Sequence, residues 1–501
     1  MNPLRCVSFT VASVLVLAAT TARAQELVVG SKQFTESVIL GDIATQLLRD
    51  ATEVPVTHQR QLGGSQVLFQ GLQRGDLDAY PEYTGTIRYE LLAGTDPDPA
   101  ASLEDLLRPL GLGIVGPIGF NNTYALGLTR EAAERLNART ISDLRDHPEL
   151  ALRFSNEFMD RADGWNALRD AYQLPQSDVR GIEHALADVA RANGQIDATD
   201  LYSTDAEIAE YDLAVLEDDL RHFPRYDAVL LYRLDLDDRA PGGITALERL
   251  AGAIDEASMI AMNRRGKVDR VPTQVVARDW LSANLDVNAE IRVDSAFSRV
   301  LRHLVEHTQM VAVSLIAAIA LAVPLGVVAA RRRVLGQGIL GVVGILQTVP
   351  AIAMLVFMIP LLGLGFMPAV AALFLYSLLP VVRNTHAGLV GIPQSVRDSA
   401  EALGLPRGAR LRRIELPLAG RSILAGVKTA AVINVGTATL GAFIGAGGLG
   451  QPIVTGLRLQ DTGLILLGAL PAAGLAIVVQ LLFDGLERLV TPRGLRGQQH
   501  K

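Results

Sequence analysis

From about residue 309 to residue 490 the chain is nearly continuous apolar sequence. Such a stretch has too little polar surface to face water, and in lipid every backbone N–H and C=O must be satisfied internally. Helices of about 20 residues meet that demand. Five spans are expected, at about Gln309–Ala330, Leu335–Met358, Pro360–Val382, Ser422–Ala446 and Gly463–Val490. Between the third and fourth lies Asp398–Pro417, DSAEALGLPRGARLRRIELP, which is rich in Arg and must sit in water. Its pattern predicts a short helix, a turn at Gly404–Pro406 and a second, basic helix that docks into another protein. If the N-terminal part is exported, Arg331–Arg333, Arg383, the arginines at 397, 407, 410, 412, 413 and 421, and Arg493, Arg496 and Lys501 all fall inside. Arg458 is an isolated charge on the other side.

The polar part that precedes these spans is different in kind. Residues 1–24 carry Arg5, an apolar core from Val11 to Ala19 and Ala22-Arg23-Ala24, the form of a secretory signal peptide, with an uncleaved anchor as the alternative. The single cysteine, Cys6, lies in this leader, so the mature chain has no disulfide or Cys metal site. A net charge of −7 without a basic tail makes nucleic acid a poor partner. Within residues 25–293 short apolar strands (Leu27–Val29, Val54–His58) alternate with helix-period stretches such as Glu36–Arg49, which predicts a layered α/β domain. Its length suits two lobes with a cleft between them. Residues 294–308 read as a short tether, with Leu301–Gln309 amphipathic along the outer membrane face.

Six ordered motifs sharpen this reading: GSKQFTES (Gly30 to Ser37), DAYPEYTGT (Asp78 to Thr86), FNNTYAL (Phe120 to Leu126), EFMDRADG (Glu157 to Gly164), DLYSTD (Asp200 to Asp205) and LEDDLRHFPRYDAV (Leu216 to Val229). Together they resemble the substrate-binding protein of osmoprotectant importers, the glycine betaine, carnitine, choline and proline betaine family. The resemblance implies a two-lobe α/β periplasmic binding protein of type II that closes on its ligand by a hinge. A quaternary ammonium offers no N–H, so hydrogen bonding cannot select it; the electron-rich faces of aromatic rings can. The resemblance places Tyr83, Tyr124, Tyr202 and Tyr226 in that cage. It gives Lys32 and Arg161 as charges, and Thr86 as a hydroxyl, for a ligand carboxylate. Tyr80, Tyr172, Tyr211 and Tyr232 lie outside the cage assignment and read as packing residues, as does Trp165.

The apolar part carries the same relationship. LQTVPAIAM (Leu346 to Met354), LFLYSLLPVVRNTHAGL (Leu373 to Leu389) and GAFIGAGGLG (Gly441 to Gly450) resemble the permease of those systems. Asp398–Pro417 resembles the cytoplasmic coupling loop of bacterial ABC importers, with Asp398, Ala400, Gly404, Ile414 and Pro417 at its marked positions. Asp and Ser stand at 398 and 399 where that pattern usually has Glu and Ala. The resemblance implies an all-α transmembrane permease domain, a separate ATPase subunit at this loop and a second permease copy. No Gly-x-x-x-x-Gly-Lys-Ser/Thr loop is present, so this chain does not bind ATP by that route, and no cofactor is expected. Gly445, Gly447, Gly448 and Gly450 serve either close helix packing or the pathway. Asn434, Thr437 and Thr439 either face the conduit or bond a neighbouring helix. No nucleophile–base or metal constellation stands out, so an enzyme is not expected. Import of another cationic or zwitterionic metabolite, such as carnitine, an amino acid or a polyamine, and a ligand-gated channel are the other readings.

Overall fold

The computed structural model describes residues 26–93, 101–161, 164–182, 196–288, 295–458 and 461–490. The leader, most of the junction before residue 295 and the tail at 491–501 lie outside them. The chain divides into two compact units that part near residue 291.

The first unit holds two five-stranded sheets. In one the order is β2 (Val56–Gln59), β1 (Leu27–Gly30), β3 (Ala79–Tyr83), β10 (Ala228–Arg233), β4 (Leu112–Val115). In the other it is β7 (Val179–Ile182), β6 (Leu152–Ser155), β8 (Ala198–Tyr202), β5 (Tyr124–Thr129), β9 (Leu213–Leu216). Each sheet is parallel except for one inserted strand, β10 in the first and β5 in the second, which pairs antiparallel with both neighbours. Each inserted strand arrives from the other lobe, so residues 116–123 and 217–227 are the two crossovers. They meet at an antiparallel bridge between Asn121 and Asp227. This is the two-lobe α/β binding-protein architecture expected from the sequence.

Helix Thr35–Ala51 explains why the first lobe is organised around its N-terminus. It is buried almost all round, from Glu36 to Leu48, between the sheet and the helices Glu256–Lys267 and Thr273–Asn284. Ile39, Ile43 and Leu47, on one helical face, join the main core with Val276, Trp280 and Leu281. The helix opens immediately after β1, at the end of the sheet where ligands collect in open α/β folds.

Among the described residues of the second unit four helices are long and apolar enough to cross a membrane: Phe297–Arg331, Phe366–Val390, Arg407–Ile444 and Thr462–Arg488. A fifth span counts only if the bent pair Arg333–Thr348 and Ala351–Leu362 is taken as one. The expected span Leu335–Met358 is interrupted at its internal proline, with a bend of 100° at Val349–Pro350. Pro350 has no N–H to give the ladder and forces its predecessor out of helical geometry. The expected third span from Pro360 begins instead at Phe366, because Gly363 and Gly365 take φ of 78° and 89°. The stretch expected as a tether is, from Ala296 onward, the start of one 36-residue helix that continues into the first span.

Two questions left open by the sequence are answered by packing. Asn434 is fully buried and donates to Ser314 Oγ at 3.1 Å and Ser377 Oγ at 2.8 Å, which joins three helices. Gly447 and Gly448 of the glycine cluster pack against the first helix. A Cβ on Gly447 would lie 2.6 Å from the Glu306 carboxylate, and the Gly448 N–H donates to Glu306 at 2.9 Å. His307 fixes the same loop, donating from Nε2 to the Val435 carbonyl at 2.9 Å and accepting the Leu449 N–H at 3.3 Å.

Candidate ligand-binding site

The four tyrosines expected to form a cage come from different elements. Tyr83 ends β3, Tyr202 ends β8, Tyr124 opens β5 and Tyr226 sits on the second crossover. The register of β5 on β8 places Tyr124 directly opposite Tyr202. Their rings lie 5.1 Å apart, within the range in which aromatic pairs attract. Tyr226 meets Tyr124 edge-on at 5.8 Å. Tyr83 joins the set through Phe34, whose ring is 6.2 Å from Tyr83 and 5.7 Å from Tyr202. The structure therefore brings the four tyrosines into one chain of rings that spans both lobes and a crossover. Gly85 makes the Tyr226 position possible, since a Cβ there would fall 2.6 Å from that ring.

Two cations lean on these rings. The Lys32 ammonium lies 4.5 Å from the Tyr83 centroid and 5.4 Å from that of Phe34. The Arg161 guanidinium lies 5.3 Å from Tyr124 and 5.6 Å from Tyr226, and donates to the Tyr226 hydroxyl at 3.1 Å. All four distances fall inside the reach of a cation–π interaction. Neither charge is free for a ligand carboxylate alone. Lys32 pairs with the fully buried Glu82 and donates to Ser65 Oγ at 3.3 Å. Arg161 pairs with Glu90 at 2.6 Å. Thr86 is buried on the turn that follows Tyr83.

The second lobe holds Arg161 through Asp200, two residues before Tyr202. Asp200 accepts the Ser155 N–H and hydroxyl, both at 2.6 Å, and Ser155 caps the helix Asn156–Asp160 that delivers Arg161. Burial pushes the phenols of Tyr83, Tyr124 and Tyr202 well above their ordinary range, so the rings stay neutral. Among the described residues no cluster of three His, Cys, Asp or Glu is arranged to hold a metal ion.

The sequence reading missed Phe34, Glu82 and Glu90. Phe34 was visible, since it lies inside GSKQFTES two residues after Lys32; the two acids needed tertiary distances.

These features meet what the comparisons find. Residues 25–283 match the family described as the substrate-binding domain of ABC-type glycine betaine transport systems. The chain belongs to that family. Residues 322–495 match the binding-protein-dependent transport system inner membrane component, so the chain joins a binding domain to a permease domain. The permease part is 41% identical over 194 residues to the glycine betaine/carnitine/choline transport system permease protein OpuCB of Bacillus subtilis, covering 39% of this chain and 89% of that one. It is likewise 41% identical over 196 residues to the osmoprotectant import permease protein OsmW of Salmonella typhimurium, covering 38% and 91%. A crystal structure of a glycine betaine/carnitine/choline ABC transporter protein aligns at 27% identity with a TM-score of 0.43, covering 51% of this chain and 98% of that one.

The permease domain presents Asp398–Pro417 as a helix, Gln394–Ala402, a turn, and a basic helical segment from Arg407. Gly404 takes φ of 71° in open space, a conformation that only glycine adopts cheaply. Ala400 is buried and Asp398 exposed, accepting from Gln394 at 2.8 Å. Ile414 is half-buried and Pro417 exposed. Leu403, at the turn, is 77% exposed. Glu415 pairs with Arg410 at 3.2 Å and Arg331 at 3.4 Å, which ties the segment to the end of the first helix.

Proposed function

We propose that this chain is the receptor and membrane path of an ABC importer for quaternary-ammonium compatible solutes of the choline and glycine betaine class. The observation that carries this is the unbroken chain of five rings, Tyr83–Phe34–Tyr202–Tyr124–Tyr226, across the cleft between the lobes. A trimethylammonium group presents only polarised C–H, and each ring face attracts it by about 0.5–2 kcal/mol. Thr86 and the cations Lys32 and Arg161 take the other end of the ligand, competing with Glu82 and Glu90 for it. The names of the permease relatives support the same class.

In this reading the binding domain lies outside the cytoplasm, in the periplasm, and the coupling segment inside, which the distribution of basic residues supports. Leu403 and the exposed marked positions Asp398, Gly404 and Pro417 then face a separate ATPase subunit, with Ala400 and Ile414 packed behind them. Two copies of the permease flank one path, the arrangement that a single short permease unit implies. A test is a ligand panel on the purified full chain in lipid nanodiscs by calorimetry, followed by uptake in cells with and without ATP. Binding of choline or glycine betaine over amino acids and polyamines, and uptake that stops with ATP depletion, are expected. A panel with no quaternary ammonium binder refutes the ligand class, and uptake without ATP favours a channel.

A further inference from the structure

Glu36 has no part in the family motif's cage, yet the rings are built around it. It lies in the first turn of helix Thr35–Ala51, is 3% exposed and accepts four hydrogen bonds. The Tyr83 hydroxyl donates to one carboxylate oxygen at 2.6 Å and Asn122 Nδ2 to the same oxygen at 2.8 Å. The other oxygen takes Asn263 Nδ2 at 2.8 Å and the Thr204 hydroxyl. Burial raises this carboxyl above the usual range, and the donors Thr204, Tyr83 and Asn263 oppose that shift.

The origins of the donors matter more than their number. Tyr83 belongs to the first lobe, Asn122 to the first crossover, Asn263 to a helix packed on the first lobe and Thr204 to the second lobe. Three of the four are a cage ring or stand close to one: Tyr83 is itself a ring, Asn122 precedes Tyr124 by two residues and Thr204 follows Tyr202 by two, while Glu36 follows Phe34 by two. Thr204 is gripped at both ends, because Asn263 Nδ2 also donates to the Thr204 carbonyl at 3.0 Å. Opening the lobes about the crossovers carries Thr204 off Glu36 and leaves the carboxylate one hydrogen bond short, with Tyr83, Asn122 and Asn263 still on it, a state that costs free energy.

We propose that Glu36 is a closure clasp: a positioning residue that bonds Thr204 of the opposite lobe when the cleft shuts and, through the Tyr83 hydroxyl and Asn122, fixes the ring faces at the same moment. It makes lobe closure and assembly of the cage one event. The clasp deepens the ligand reading above, but its geometry does not depend on which ammonium enters.

The test uses the full chain in nanodiscs with Cys6 replaced by Ser and spin labels at Asp50→Cys and Glu134→Cys, exposed positions on the two lobes. Inter-lobe distances are measured with and without choline in the parent, Thr204→Val and Glu36→Gln, alongside calorimetric Kd values. Thr204→Val keeps shape and replaces none of the rings, so it reports on the clasp even if Glu36→Gln folds poorly. Expected are a longer inter-lobe distance in both variants without ligand, incomplete closure with choline, and affinity weaker by about tenfold or more. Unchanged distances and affinity in Thr204→Val overturn the clasp. If the parent binds neither choline nor glycine betaine, the ligand class is wrong and the ligand-free distances decide: a more open Thr204→Val supports the clasp, and identical distributions overturn it.

Discussion

Replacing Tyr124 and Tyr202 together by leucine removes two facing rings and keeps most of the apolar bulk. The rings are 5.1 Å apart on directly opposed strand positions, so both faces border one space. At about 0.5–2 kcal/mol per face, the double variant loses about 1–4 kcal/mol of attraction for a trimethylammonium. Affinity then falls by about fivefold to several hundredfold. Tyr124→Phe keeps its face and loses only the 3.4 Å contact between the two hydroxyls, so its loss is about threefold or less. Calorimetry with choline on the full chain reads both, with thermal unfolding of the binding domain as the control for folding. If Tyr124→Phe is as damaging as the double leucine variant, the hydroxyl and not the ring face recognises the ligand. If the double variant binds as before, the rings are packing and nothing more.

Further perturbations address the charges and the coupling segment. Glu90→Gln releases Arg161 from its 2.6 Å pair, so affinity for zwitterionic glycine betaine is expected to rise about two- to fivefold while that for choline does not, measured by competition calorimetry. His58 is buried, donating to Asp42 at 2.8 Å and 2.9 Å from Ser31 Oγ, and burial lowers it below its ordinary value of 6.5. The unfolded chain therefore takes up this proton first, so stability falls as pH drops below about 6.5, and His58→Gln flattens the change in Tm between pH 7 and pH 5.5. Asp42, held low against the cost of its burial by Arg60 and His58, adds a second loss only at far lower pH. Gly404→Val strains a turn at φ 71° by about 1–2 kcal/mol and is expected to leave ligand binding intact while ATP-driven uptake falls, measured in the same cells.

The two-lobe α/β order and the apolar spans were legible because they follow from periodicity and length, which local sequence carries. The break at Val349–Pro350 was legible in part: hydropathy there fits one span, Pro350 marks an interruption of the helix, and only the angle of 100° needed the structure. That one helix runs on into the first span could not be read from sequence, because the amphipathic stretch Leu301–Gln309 fits a surface helix and the first turns of a long span equally well. At the site, tyrosines in motifs could be named, but not their neighbours' charges. Lys32 and Arg161 read as free cations in sequence, whereas Glu82, 50 residues from Lys32, and Glu90, 71 from Arg161, are brought to them by the fold. Glu36 was hidden for the same reason: its donors lie 47, 86, 168 and 227 residues away. Asn434 shows the converse, a polar residue in a span whose role is settled only by finding both Ser314 and Ser377 against it.

The most direct measurement compares choline with 3,3-dimethylbutan-1-ol, its uncharged carbon isostere, on the purified full chain in nanodiscs. The two have nearly the same shape and apolar surface and differ in the positive charge that ring faces attract. Selective binding of choline, by about a hundredfold or more from several faces acting together, is the result the account predicts. Equal affinity for both, or preference for the alcohol, contradicts it.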